Sequence, residues 1–228
     1  MNNILAIETA TSACSVALRI DGVIVARHQI GSNIHSRVLM SMVASILSEA
    51  SLSPSQLNAV AVGQGPGSFT GLRIGVGVAQ GLAYGANCSM IGVSSLDALA
   101  LQSHVDGIIL AGIDARMGEV YWCEYRKSNG KISRQCDLTV SAAADIKLSG
   151  AAFKVSLVGN AWPDCHESMM KELSGIAQIE ESISHPSAEA VLLLAETRFN
   201  TGGLISPIDF TPIYVRDDVA KKSTKSVF

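Results

Sequence analysis

The chain has 228 residues, 48% of them hydrophobic and 16% charged, with a formal net charge of −3. That length holds one large domain or two small lobes, and the slightly acidic balance argues against a chain that grips nucleic acid by itself, because phosphate binding draws on a basic surface. No run of about 18 apolar residues lacks glycine or polar breaks, so no membrane span is expected; MNNILAIET lacks the basic n-region of a secretory signal, and five cysteines without CxxC spacing fit a reducing cytoplasm better than disulfides or zinc.

In chain order, Asn3 to Glu8 reads as a short buried strand, followed by a turn of small residues from Thr9 to Ser12. Cys14 to Ile20 reads as a second strand, Asp21-Gly22 as a two-residue hairpin, and Val23 to Gln29 as the returning third. Ser36 to Ala50 has helical spacing, with Val38, Leu39, Met42, Val43, Ile46 and Leu47 on one stripe. Ser53-Pro54-Ser55 starts a further helical turn, and Ala59 to Val62 is a short strand. A glycine and proline loop, Gly63 to Gly67, then opens a long helix that runs to about Gly85. Met90 to Val93 is a strand, and Ser94 to Ser103 a helix capped by Ser94 or Ser95.

The opening order then recurs. Ile108 to Asp114 is an apolar strand ending in a carboxylate, a tight turn follows, Glu119 to Tyr125 is a strand, Asn129-Gly130 a hairpin, and Lys131 to Gln135 returns. The repeat is one of architecture, not of residues, and predicts two related lobes. Beyond it, Val155 to Gly159 reads as a strand, and Asp164 to Leu173 and Ser187 to Phe199 as helices, the latter capped by Ser187 and ended by Gly202-Gly203. Pro207 and Pro212 bracket an extended linker. The expected division is residues 1–104 as the first lobe, 105–212 as the second, and 213–228 as a tail that packs back on the first. The basic residues Arg216, Lys221, Lys222 and Lys225 are read as a solvated cluster.

Two constellations bear on chemistry. Glu8, followed by Thr9, and Asp114 each close the first strand of a meander. A carboxylate beside a small-residue turn either caps that turn or holds hydrated magnesium near a phosphate. The loop Gly63-Gln64-Gly65-Pro66-Gly67-Ser68 either cradles an anion at the helix start or is a tight turn with Ser68 as cap; the Gly-Lys-Ser/Thr ending of a P-loop is absent, which favours the turn. No HxxxH, HExxH or GxSxG motif occurs, so metal and hydrolytic chemistry have little local support.

The helix from Ser68 carries Gly71, Gly75, Gly77, Gly81 and Gly85. Each glycine in a helix interior costs roughly 0.8–1 kcal/mol relative to alanine, so packing must offset them. Gly71 and Gly75 form one row, and Gly77, Gly81 and Gly85 a second; rows at that spacing let another backbone come close. A helix apolar on every side is expected to be buried on every side.

The segments ILAIETATSACSVAL, GQGPGSFTGLRIGVGVAQGLA, IDARMGEVYWCEY and PIYVRDDVAKK resemble the bacterial TsaB family, also called YeaZ. That resemblance implies an α/β, actin-like and hexokinase-like (ASKHA) fold of two related lobes, each a mixed sheet with flanking helices. It implies a cytoplasmic, non-catalytic subunit required for N6-threonylcarbamoyladenosine in transfer RNAs that read codons beginning with adenine. The paralogue TsaD transfers the group from threonylcarbamoyl-AMP, the ATPase TsaE joins the two, and transfer RNA is met through the complex. By the same resemblance the surface for TsaD, or for a second copy of the chain, lies on Ser36–Ala50 and Ser68–Gly85. Its residues would be His35, Leu39, Met40, Met42, Ile46, Phe69, Arg73, Ile74, Gly77, Val78 and Gly81. Two competing readings are an ATP-using kinase or hydrolase, with ATP or ADP and magnesium near Glu8, Thr9 and Asp114 or at a subunit boundary, and a glycoprotease.

Overall fold

The computed structural model describes residues 2–150, 154–163, 165, 173 and 175–216. The first lobe opens with β1 (Ile4–Glu8), β2 (Ala13–Ile20) and β3 (Val23–Ile30), paired antiparallel in sequence order. The Asp21-Gly22 hairpin takes φ of 50° and 82°, the left-handed pair that a two-residue turn between twisted strands demands. Helix α1 (His35–Glu49) follows, then a short 3-10 turn at Pro54–Gln56 and β4 (Ala59–Gly63). Helix α2 (Phe69–Ala86), β5 (Ser89–Val93) and α3 (Ser95–Gln102) complete the run. The sheet order is β3-β2-β1-β4-β5, with β1, β4 and β5 parallel.

The second sheet is built from β6 (Gly107–Arg116), β7 (Glu119–Ser128), β8 (Lys131–Arg134), β10 (Val155–Val158) and β11 (Ala177–Ile179), with β9 (Thr139–Ala142) paired to β7. Its order, β8-β7-β6-β10-β11, reproduces that of the first sheet strand for strand. The repeat read in the sequence is therefore a repeat of topology: an antiparallel meander whose first strand pairs in parallel with the later ones. The expected helix from Asp164 to Leu173 falls mostly outside the described residues. The strands β9 and β11, four and three residues long, carry too little alternation to be read from sequence.

Period-two alternation decides what covers each face of the first sheet. Leu5, Ile7, Val60 and Val62 point to one side, into a core with Leu39, Val43 and Ile46 of α1 and Val76 and Ala79 of α2. Ile4, Ala6, Ala59 and Ala61 point to the other, and that side is covered by α4 (Ala188–Asn200) through Ala188, Val191, Leu192 and Ala195. Alanine in the sheet against alanine in the helix brings the two backbones close. The expectation that gave this helix to the second lobe is thus corrected, because its apolar side is buried on β1, β2, β4 and β5 of the first. Ser187 does cap it, its hydroxyl accepting from the Ala190 N–H at 3.2 Å.

The segment after α4 returns along the first lobe as an extended strap, running antiparallel to α2. Ile205 exchanges backbone hydrogen bonds with Met90 at 2.8 and 2.9 Å, Phe210 is buried in the core beneath α2, and the Ile213 N–H donates to the Gln64 carbonyl at 2.8 Å. The Gln80 side chain ties the strap to α2, donating to the carbonyls of Pro207 and Phe210 at 2.9 and 3.2 Å.

Candidate functional site

A cleft of about 840 Å³ separates the lobes. One wall is the turn Ala10–Ser12, the start of α1 and the loop entering α2; the other is the end of β6 with Tyr121 and Asn160, and the strap end closes one side. Of the three residues read as a possible magnesium-nucleotide site, only Asp114 lines this space. Its carboxylate accepts from the Arg116 N–H at 2.7 Å and pairs with the Arg116 guanidinium at 3.3 Å.

Glu8 points the other way. It shares the face of β1 that carries Ile4 and Ala6, so alternation sends its carboxylate into the interior, where it is 1% exposed. One oxygen accepts from the Ala10 N–H at 2.7 Å and the other from the Ser95 hydroxyl at 2.8 Å. A Cβ at Gly63 would land on this carboxylate, so β4 must be glycine where it passes. Thr9 is also fully buried, its hydroxyl donating to the Gly71 carbonyl at 2.9 Å. The actin-like fold implies a magnesium nucleotide held from both lobes. The residues do not fit that group: Glu8 spends both oxygens, and Thr9 its proton, on tying the first turn to α2 and α3.

Burial pushes the Glu8 carboxyl up from 4.5, against the lowering pull of its hydrogen bonds from Ala10 and Ser95. The folded chain therefore holds this proton more tightly than the unfolded chain. Its stabilising effect is complete below about 4.5 and is lost as pH rises through the folded value. Glu8→Gln, which keeps the shape without the charge, is expected to gain on the parent steadily across that window. Paired denaturant titrations from pH 4 to 8 check this, and a pH-independent difference would remove the buried ionisable group from the account.

The loop entering α2 is tied down as a tight turn. The Ser68 N–H donates to the Ala10 carbonyl at 2.7 Å, and the Ser68 hydroxyl accepts from the Gly71 N–H at 3.3 Å as the helix cap. Gly65, at φ 96°, turns the chain so that its carbonyl accepts from the Ser95 N–H at 2.9 Å. Ser94 occupies the cap position of α3 without a capping bond, and Ser95 is spent on Glu8.

The two glycine rows of α2 have different surroundings. A Cβ at Gly71 or Gly75 would collide with Thr9, so that row receives the chain's own first turn. Among the described residues, a Cβ at Gly77, Gly81 or Gly85 would meet nothing within 4 Å. The expectation of burial on every side is corrected accordingly: α2 buries Leu72, Val76, Ala79 and Ala83 and leaves a glycine-lined face open. Phe69, 44% exposed, and Arg73 stand at one end of that face, and Tyr84, 71% exposed, near the other. The Arg73 guanidinium lies 3.7 Å over the Phe69 ring, which in turn neighbours Tyr214 of the strap at 5.8 Å.

Among the other residues expected at a partner surface, Met40 is 54% exposed, and Met42, Ile74 and Val78 are half-buried against the core beneath α1 and α2. His35, Leu39 and Ile46 are buried and cannot reach a partner in this conformation. Leu39 and Ile46 face the sheet, and the His35 ring nitrogen sits 3.2 Å from the Ala13 carbonyl. Tyr214 was not foreseen at this surface, because nothing local says where an extended linker will lie.

The second cluster of charge lies at the joint between the lobes. Asp97, in the first turn of α3, accepts from the Tyr125 hydroxyl at 2.9 Å and from Arg134 at 2.7 and 2.8 Å, and meets Arg198 of α4 at 3.3 Å. Burial, then the Asp97 charge, holds the Tyr125 hydroxyl well above its ordinary value. The arrangement fastens elements; it leaves no nucleophile or base facing open space.

Two sheets of one repeated order, helices on their faces and a cleft between them define a two-lobed α/β protein of the actin-like class. The family model described as "TsaD: tRNA N6-adenosine threonylcarbamoyltransferase" matches residues 22–224. The "tRNA threonylcarbamoyladenosine biosynthesis protein TsaB" of Escherichia coli is 41% identical over 96% of both chains. That of Haemophilus influenzae is 34% identical over 96% of this chain and 95% of its own. The solved structure "YeaZ from Pseudomonas aeruginosa" superposes with a TM-score of 0.86 at 33% identity, covering 94% of this chain and all of that one. The chain belongs to the TsaB (YeaZ) family.

Proposed function

We propose that the chain is the TsaB-type, non-catalytic subunit in formation of N6-threonylcarbamoyladenosine in transfer RNA, and that it docks a TsaD paralogue through the open face of α2. The observation that carries this is the row Gly77, Gly81 and Gly85, which has nothing opposite it among the described residues. Three glycines in an exposed helix face cost about 2–3 kcal/mol together, and a partner backbone seated on them offsets that cost. Phe69 and Arg73, of residue types enriched at interfaces, flank the row. In this reading the paralogue performs the transfer from threonylcarbamoyl-AMP, a TsaE-type ATPase joins the pair, and the setting is the cytoplasm. No helix among the described residues is long and apolar enough to cross a membrane. A nucleotide-driven kinase is disfavoured by the direction of Glu8 and Thr9.

Gly81→Leu is the test. The side chain enters open space, so the melting temperature should stay near the parent's, while affinity for the purified paralogue falls at least about tenfold, or 1.4 kcal/mol. Titration calorimetry reads the affinity, and sedimentation reads whether a second copy of the chain uses the same face. Binding at parental strength would sink the assignment.

A further inference from the structure

We propose that Arg216 is the catch of a latch: the strap, anchored along α2, holds the mouth of the cleft shut by fastening its end to the β6–β7 hairpin. From Ile205 to Ile213 every strap contact described above is with the first lobe. Three residues later the chain has crossed the cleft. The Arg216 guanidinium donates to the Ala115 carbonyl at 3.3 Å, pairs with the Glu119 carboxylate, and lies 6.0 Å from the Tyr121 ring.

The two sides of the cleft are held unequally. At the joint, Asp97 binds Arg134 and Tyr125 across the lobes, and the Lys127 amine donates to the carbonyls of Leu101, at 2.7 Å, and Ser103. At the mouth, among the described residues, Arg216 alone crosses by hydrogen bond or ion pair. Its pair with Glu119 is 24% and 41% exposed on the two sides. Pairs open to water to that degree shift an equilibrium by about two- to fivefold. That is enough to favour the closed mouth and too little to lock it. A hinge on one side and a weak catch on the other is the arrangement of two lobes that open and close.

The catch is also wired to the open face of α2. Tyr214, two residues before Arg216 on extended chain, rests against Phe69, and Phe69 carries Arg73. Opening the mouth frees the strap end and with it Tyr214, which withdraws one side of the Phe69–Arg73 cluster. This second step rests on the docking reading given above: a partner seated on α2 would favour the closed mouth, and a closed mouth would favour the partner by the same factor.

The experiment uses the full chain, with spin labels at Ser36→Cys and Met117→Cys on the two lips and serine replacing the half-buried Cys88, Cys136 and Cys165. Pulsed dipolar distances are compared for the parent, Arg216→Glu, Glu119→Arg and the double exchange. Each single change should lengthen and broaden the lip-to-lip distribution, and the double exchange should bring it back. Single variants with the parental distribution, or a double exchange as open as the singles, would overturn the latch. For the coupling, each single variant should bind the paralogue about two- to fivefold more weakly, and the double exchange should recover. Parental affinity in open-mouthed variants would overturn that step. Failure of the docking reading has a different signature: Gly81→Leu binds normally while the distances still follow the ion pair.

Discussion

Replacing Asp97 with alanine should cost about 2–4 kcal/mol of stability. Its carboxylate is the shared acceptor for Tyr125, Arg134 and Arg198, and so joins α3, β7, β8 and α4 at one point. Losing it leaves the fully buried Tyr125 hydroxyl without its acceptor, at about 1–3 kcal/mol, and leaves two guanidinia unpaired. Breaking a fully buried pair costs about 3–5 kcal/mol. The lower range applies because both arginine side chains are over a third exposed and water screens them. For a domain of this size the melting temperature should fall by roughly 4–16 °C. Asp97→Asn, which keeps an acceptor and loses the charge, should fall in between. A change under about 1 kcal/mol for the alanine variant in denaturant titrations would show that water replaces the carboxylate and that the joint rests on apolar packing alone.

Gly75→Leu is the second large effect, about 3 kcal/mol or more. The new Cβ would occupy the position of the Thr9 hydroxyl. Thr9 cannot step aside: it is fully buried, β-branched, and committed to the Gly71 carbonyl. The same substitution six residues along, at Gly81, enters open space. Circular dichroism melts of the two variants therefore provide an internal control, with one helix and one substitution but different surroundings. A chain that tolerates both would mean that the first turn can move away from α2. In that case the tie among Thr9, Gly71 and Glu8 would not be what fixes it.

The two glycine rows also mark where sequence stops being informative. Both rows have helical spacing, and both signal close approach by something. Spacing says nothing about what stands opposite, and in this fold it is Thr9 for one row and, among the described residues, nothing for the other. The stripe on α1 behaves likewise. Its apolar spacing is legible, but a stripe that meets the sheet on one edge and α2 on the other presents little of itself outside. His35, Leu39 and Ile46 therefore belong to the interior, while Met40 remains exposed. The direction of Glu8 is legible locally: alternation along Ile4 to Glu8 already sets it on the face opposite Leu5 and Ile7. The alternation Ala59-Val60-Ala61-Val62 held a similar hint, since an alanine-lined sheet face invites a close helix, but nothing local names α4 as that helix.

The sequence by itself determined the repeated meanders, their hairpins and the boundaries of α1 to α4 within a residue or two. It did so because these follow from alternation, helical period and turn chemistry that act over a few residues; the left-handed Asp21-Gly22 and Asn129-Gly130 pairs are the plainest case. Family membership was also legible, through the glycine motif and the two strand–turn segments. Only the tertiary structure decided which glycines face outward, where Glu8 points, which lobe takes α4, and that Arg216 returns across the cleft. Each of these joins residues tens of positions apart, and such pairings are set by whole-chain packing, to which local preference contributes almost nothing.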